Sequence, residues 1–160
     1  MHIRSGVIAA LTLLAAGPAM ARQDTTPALD APMRQVFASP AVVGYMTAPT
    51  PKDGALTGVW TWMFLKDAIP TGADTLALEW EFDCAAHTGR MIRQATYRGD
   101  AHMTTAPGPA ALSAPAAGTP GAIIMASACA TTPGRTRPVA NAAAARTAAM
   151  AALTAPPAAH

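Results

Sequence analysis

The sequence predicts an α+β fold: a small antiparallel β-sheet with a short C-terminal helix tied to it by a disulfide. Three observations carry this. Thr75–Cys84 alternates strictly, with Leu76, Leu78, Trp80, Phe82 and Cys84 on one face and Ala77, Glu79, Glu81 and Asp83 on the other, the period of a half-buried strand. A short loop ending in Gly89 leads into Arg90–Arg98, a return strand that completes a hairpin. The chain has two cysteines, one at the end of the alternating strand and one in a stretch opened by Thr119-Pro120.

Taken in order, residues 1–21 read as a signal peptide. Arg4 supplies a basic start, Val7–Ala16 an apolar run, and Ala19-Met20-Ala21 a small-x-small cleavage site. The run is shorter than the roughly 20 apolar residues of a membrane span, so no integral membrane segment is expected after cleavage. The mature chain would begin at Arg22. It keeps ten of the 11 Lys+Arg against nine Asp+Glu, a net charge of about +1. That balance, with no clustered basic face, argues against nucleic-acid binding.

Residues 22–40 read as an irregular lead-in, with prolines at 27, 32 and 40. Ala41–Thr47 is β-prone. Pro49–Gly58 is loop, with Pro51-Lys52-Asp53-Gly54 as its turn signal. Val59–Leu65 is apolar on both parities except at Thr61, which predicts a central strand covered on both faces. The return strand alternates poorly: Met91, Arg93, Ala95 and Tyr97 fall on one side and Ile92, Gln94, Thr96 and Arg98 on the other. Across the hairpin, Arg90, Arg93 or Arg98 can meet Glu79, Glu81 or Asp83.

Ala101–Gly118 is rich in Ala, Pro, Gly and Thr and lacks the large side chains that offset ordering entropy. Thr119–Ala130 predicts a short helix, with Thr119 as N-cap and Pro120 at the first helical position. Ala122, Ala126 and Cys129 then share a face beside Met125. A strand over Ile123–Met125 is the competing reading. Residues 131–160 read as a flexible Ala/Pro-rich tail. Ala140–Ala152 has helix propensity but no apolar face of large residues, so residues beyond about Gly134 are expected to be dispensable for the fold.

The signal peptide implies an oxidising compartment, the periplasm or cell surface. There a Cys84–Cys129 disulfide is the expected state of two cysteines. A reactive pair would prefer C-x-x-C spacing, which is absent. The loop it closes is worth roughly 4 kcal/mol in the chain-entropy picture.

An apolar strand with paired tryptophans ("VWTWMF"), a strand ending in Asp-Cys ("LEWEFDC"), a basic and aromatic return strand ("GRMIRQATYRGD") and a Pro-Gly segment closing on a second cysteine ("GTPGAIIMASAC") occur in that order. Over about residues 41–130 the chain resembles the surface-adhesin protein E family of proteobacterial exported domains. The resemblance implies an antiparallel sheet with a C-terminal helix held by a disulfide. It also implies a protein partner, since the namesake members bind host matrix glycoproteins. The Ala/Pro-rich tail and alanine-heavy linker depart from the family pattern.

The residues offer little chemistry. His87, His102 and His160 have no metal-ligand spacing. Ser39, Ser113 and Ser127 lie in no nucleophile elbow. Glu79 and Glu81 sit on one open strand face, where a glycosidase needs a cleft. No enzyme and no cofactor are expected. The first functional reading is a binding module for an extracellular-matrix or envelope protein, acting through Glu79, Glu81, Arg90, Arg93 and Arg98. The alternative is a periplasmic binder of a small ligand such as haem, using Trp60, Trp62, Met63, Tyr97 or His87.

Overall fold

A computed structural model describes residues 29–156 apart from 133 and 135. The signal peptide and the last four residues of the expected tail lie outside the described residues. Seven strands form one antiparallel meander: β1 (Met33–Ala38), β2 (Val42–Thr47), β3 (Thr50–Pro51), β4 (Leu56–Leu65), β5 (Thr75–Asp83), β6 (Thr88–Arg98) and β7 (Ala101–Pro107). The spatial order is β1-β2-β4-β5-β6-β7, with β3 continuing the β2 side of β4. Helices α1 (Pro120–Ala128) and α2 (Ala142–Thr154) follow. The expected α+β class therefore holds, with a larger sheet and a second helix.

Residues 22–40 are not all irregular. β1 pairs with β2, and Met33 is buried beneath α2. The outer edge of β1 is covered by the chain after α1. Met33 and Val139 exchange backbone hydrogen bonds of 3.0 and 2.8 Å, and Arg34 Nη1 donates to the carbonyls of Gly134 and Thr136. Pro32 and Pro40 flank this strand, where the missing N–H costs nothing in the ladder. Gly44 in β2 is required by its cross-strand partner. A Cβ there would lie 2.3 Å from the Phe37 ring. Beyond β6, Ala101–Pro107 is strand and not loop, and no described strand lies outside it.

Each helix covers one end of one face. α1 starts at the expected Thr119 N-cap, which accepts from Ala122 N. It buries Ile124 and Ala128 against Met46, Val59 and Phe82, with Met125 and Cys129 beside them. Its inward face is thus one step round from the expected Ala122/Ala126 line, and Ala126 is exposed. Cys129 caps the helix and is bonded to Cys84, with Cα atoms 5.5 Å apart. The bridge therefore joins the end of β5 to the end of α1, on the face that the alternation assigned to Cys84.

α2 corrects the expectation of a flexible tail. Asn141 caps it by accepting from Ala144 N at 2.9 Å. Its buried line is Ala142, Ala145, Ala149 and Leu153. This stripe lies on Tyr45, Trp62, Phe64, Ala77 and Tyr97. The large side chains come from the sheet, and methyl groups let the helix approach them. The aromatic rings contact one another, with Trp62 5.2 Å from Tyr97 and 6.5 Å from Phe64 between centroids.

An ion pair fixes α2 along its length. Arg146 donates to both oxygens of Asp74 at 2.9 and 3.0 Å, to Thr75 Oγ1 at 2.6 Å and to the Gly99 carbonyl at 3.4 Å. Asp74 also accepts from Gly99 N. One carboxylate thus joins the start of β5, the β6–β7 turn and α2. The Arg146 hydrogen bonds hold the Asp74 carboxyl well below the usual carboxylate range, at about 2, against the opposing effect of burial.

Two outcomes follow from α2. Removal of residues 135–160 exposes the aromatic face and lowers the melting temperature by more than ten degrees. Ala149→Leu alone overpacks the seam, at a cost of about 1–3 kcal/mol. Both are read by thermal circular dichroism. Because Asp74 has a lowered folded-state pKa, its contribution is full above about pH 4 and is lost as pH falls through about 2. That contribution is about 1–2 kcal/mol after screening by partial exposure. Urea unfolding of Asp74→Asn at pH 7 and pH 2 should show a deficit that shrinks at the lower pH.

Candidate functional site

On the face that α2 covers, Ala77 marks the end of the helix footprint. Along β5 the side chains beyond it, Glu79 and Glu81, are polar. Here β5 and β6 bring together four of the five residues expected to bind a protein. Arg93 Nε donates to Glu79 Oε2 at 2.6 Å, and Arg90 donates through Nε and Nη2 to Glu81 Oε2 at 3.0 and 2.7 Å. Lys52 Nζ lies 3.6 Å from Glu79 Oε1. Arg93 also stands over the ring of Trp60, 5.4 Å from its centroid, a cation–π contact.

Period-two alternation would put Arg90 and Arg93 on opposite faces, because they are three positions apart. A bulge resolves this. Glu79 pairs with Arg93, whereas Trp80 pairs with Met91, leaving Ile92 as the extra residue. The bulge turns Met91 to the α1 face and puts both arginines on the α2 face, opposite their two glutamates. It is also why the alternation of β6 reads poorly. Glu79 is only 7% exposed, so its carboxylate relies on these partners for its hydrogen bonds.

Arg98 does not join them. Its Nε donates to the Gly72 carbonyl at 3.0 Å, at the other end of β6. Gly72 has φ +86, and a Cβ on it would collide with the Arg98 guanidinium. Asp83 accepts from Ala85 N and Ala86 N and so shapes the hairpin turn, in which His87 has φ 53.

The residues named for the small-ligand alternative do not converge. Trp62 and Tyr97 are buried beneath α2, Trp60 lies under Arg93, His87 is in the turn and Met63 faces the other way. Trp62 Nε1 has no hydrogen-bond partner. Burial pushes the Tyr97 and Tyr45 hydroxyls above their ordinary range. A small cavity of 170 Å3 lies beside Trp62, Tyr97 and Arg146 at the start of α2. Among the described residues, no three His, Cys, Asp or Glu side chains are grouped to hold a metal ion.

The opposite face carries a larger feature that the sequence reading did not isolate. Met63, Leu76, Leu78, Trp80 and Met91 floor a groove of 510 Å3 beside the first turn of α1, walled by residues 109–115. The signal for it was present. Leu76, Leu78, Trp80 and Phe82 form a longer apolar row than a helix burying Ile124 and Ala128 can cover.

No family model matches the chain, and no curated protein or solved structure matches it.

The two ion pairs differ in burial, and the difference is measurable. Arg93→Met leaves the buried Glu79 carboxylate with Lys52 alone and costs about 1–3 kcal/mol. Arg90→Met strands the more accessible Glu81 and costs about 0–1 kcal/mol. Urea unfolding of the two variants should rank them in that order.

Proposed function

We propose that the chain is an exported, disulfide-stabilised, non-enzymatic binding module, similar to surface-adhesin protein E. Its partner in this reading is a host matrix or envelope protein, met by the half of the sheet face beyond Ala77. The observation that carries the reading is the partly exposed Trp60 under Arg93, set among Lys52, Glu79, Glu81 and Arg90. Tryptophan and arginine dominate binding energy at protein interfaces. The ion pairs hold long side chains in one arrangement before contact, which lowers the entropy lost on association. Three cations against two anions give the patch a net charge of +1, so association should respond only modestly to salt.

The order of the sequence motifs supports the family resemblance. The Cys84–Cys129 bridge suits an oxidising compartment such as the periplasm or cell surface. No described helix is long and apolar enough to cross a membrane.

The test is surface plasmon resonance of the chain from Arg22 against immobilised matrix glycoproteins and envelope extract, under oxidising conditions. Trp60→Ala should weaken capture at least tenfold at a temperature where circular dichroism shows the variant folded. Undiminished capture by Trp60→Ala moves the site elsewhere. Failure of the unaltered chain to bind any component removes the protein-partner reading.

A further inference from the structure

From the groove on the α1 face we infer a second site, which binds a single extended acyl chain. It lies on the opposite side of the sheet from Trp60 and does not depend on the protein-partner reading.

The floor follows β5. Leu76, Leu78, Trp80 and Phe82 are successive residues on one face, with Met63 and Met91 beside them on the neighbouring strands. From Leu76 to Phe82 the strand advances six residues, a length of about 20 Å. The groove offers a volume of about 510 Å3 above this apolar row. A long, narrow-floored apolar row of this length matches an extended hydrocarbon chain laid along β5. Methionines at both sides suit such a ligand, because unbranched thioether side chains adapt to an irregular apolar surface.

Hydrogen bonding separates an acyl chain from an extended peptide, which would also be narrow. A peptide brings an N–H and a C=O at nearly every residue, and each needs a partner when buried. Most polar groups of the lining are already paired. Gly89 and Ser113 exchange backbone hydrogen bonds of 2.9 Å, and Gly108 N donates to Ile92 O. Trp80 Nε1 donates to Thr61 Oγ1 at 3.0 Å. Thr119 Oγ1 donates to Ala116 O and accepts from Ala122 N. Arg90, at the rim, is committed to Glu81 and to the Ala110 carbonyl. A hydrocarbon chain asks nothing of these groups. Its headgroup stays in solvent on the open side, and the ligand is a single-chain amphiphile.

The walls are held in place. Close approach of the 108–115 segment to β6 needs a glycine at 108, where a Cβ would come 1.9 Å from Met91 O. The Arg90–Ala110 hydrogen bond and the Gly89–Ser113 pairing anchor the same segment. The disulfide anchors α1 on the other side.

The test is calorimetric titration of the oxidised full chain with straight-chain fatty acids of increasing length, each below its critical micelle concentration. Affinity should rise roughly three- to fourfold per added methylene and then level off when the groove is full. Gly121→Leu provides the control. A Cβ at Gly121 would make only ordinary contacts, 3.7 Å from Trp80 Cη2 and 3.6 Å from Pro115 Cβ. The leucine should therefore fill one end of the groove, leave the melting temperature within a few degrees, and move the plateau to shorter chains. Leu76→Gln, at the other end and half-buried, should lower affinity at all lengths. Three results would each overturn the proposal: no binding, affinity independent of chain length, or a plateau unmoved by Gly121→Leu. Binding of diacyl phosphatidylcholine vesicles in preference to free fatty acids would overturn the assignment to a single-chain ligand. None of these results bears on capture of a protein through Trp60.

Discussion

The seam between the aromatic face of the sheet and the alanine stripe of α2 is the contact on which the rest of the structure depends. Tyr45, Trp62, Phe64 and Tyr97 bring large apolar area, and aromatic side chains dominate the energetics of small cores. Without a cover they would lie in water. A helix of large residues would stand too far off to fill the spaces between the rings. Ala145 and Ala149, both at 0% exposure, bring the helix backbone close enough to do so. The Asp74–Arg146 pair then fixes the position of α2 along the strands. It engages the β6–β7 turn at the same time, so the far hairpin and the C-terminal helix are held by one carboxylate.

Helices on opposite faces, each covering one end, leave two parts of the sheet uncovered. These parts differ in character because β5 passes through both. Its residues on the α2 face turn from Ala77 to Glu79 and Glu81, and the open area there becomes an ion-pair ladder over Trp60. Its residues on the α1 face remain Leu76, Leu78 and Trp80, and the open area there is apolar. A single alternating strand thus provides a polar surface and an oily groove, back to back. The bulge at Ile92 is what keeps β6 in step with it, by giving Arg90 and Arg93 to one side and Met91 to the other.

Much of this was legible in the chain. The alternation of Thr75–Cys84, the hairpin, the central strand around Trp60 and Trp62, the Thr119 cap and the Cys84–Cys129 bridge all follow from period, turn chemistry and cysteine number. What escaped was of one physical kind: elements stabilised by what they pack against and not by their own composition. β1 is short and flanked by prolines, and its burial comes from both helices, α2 over Met33 and α1 against Val36 and Phe37, and from the segment ending at Val139. α2 lacks large residues because its partners supply them. The Pro-rich stretch after β7 lacks large side chains, yet its backbone pairs with Gly89 and Ile92 and walls a groove. Of the candidate site, the residues were legible but not their arrangement. Four of the five charged residues do meet, through a bulge that no period-two reading contains, and Arg98 belongs to the Gly72 turn.

The two margins of the sheet are unequal. β1 is fenced by the strand-like pairing of Met33 with Val139 and by Arg34 reaching Gly134 and Thr136. No described strand lies beyond β7, whose backbone ends only at Pro107. Open strand margins are templates for further pairing. A molecule with two of them can add copies without limit, while a molecule with one can join a single neighbour, after which both open margins are consumed. The cover on β1 therefore withholds the start of the first strand from pairing with a second copy. The same residues that complete the fold at its first strand also guard that margin.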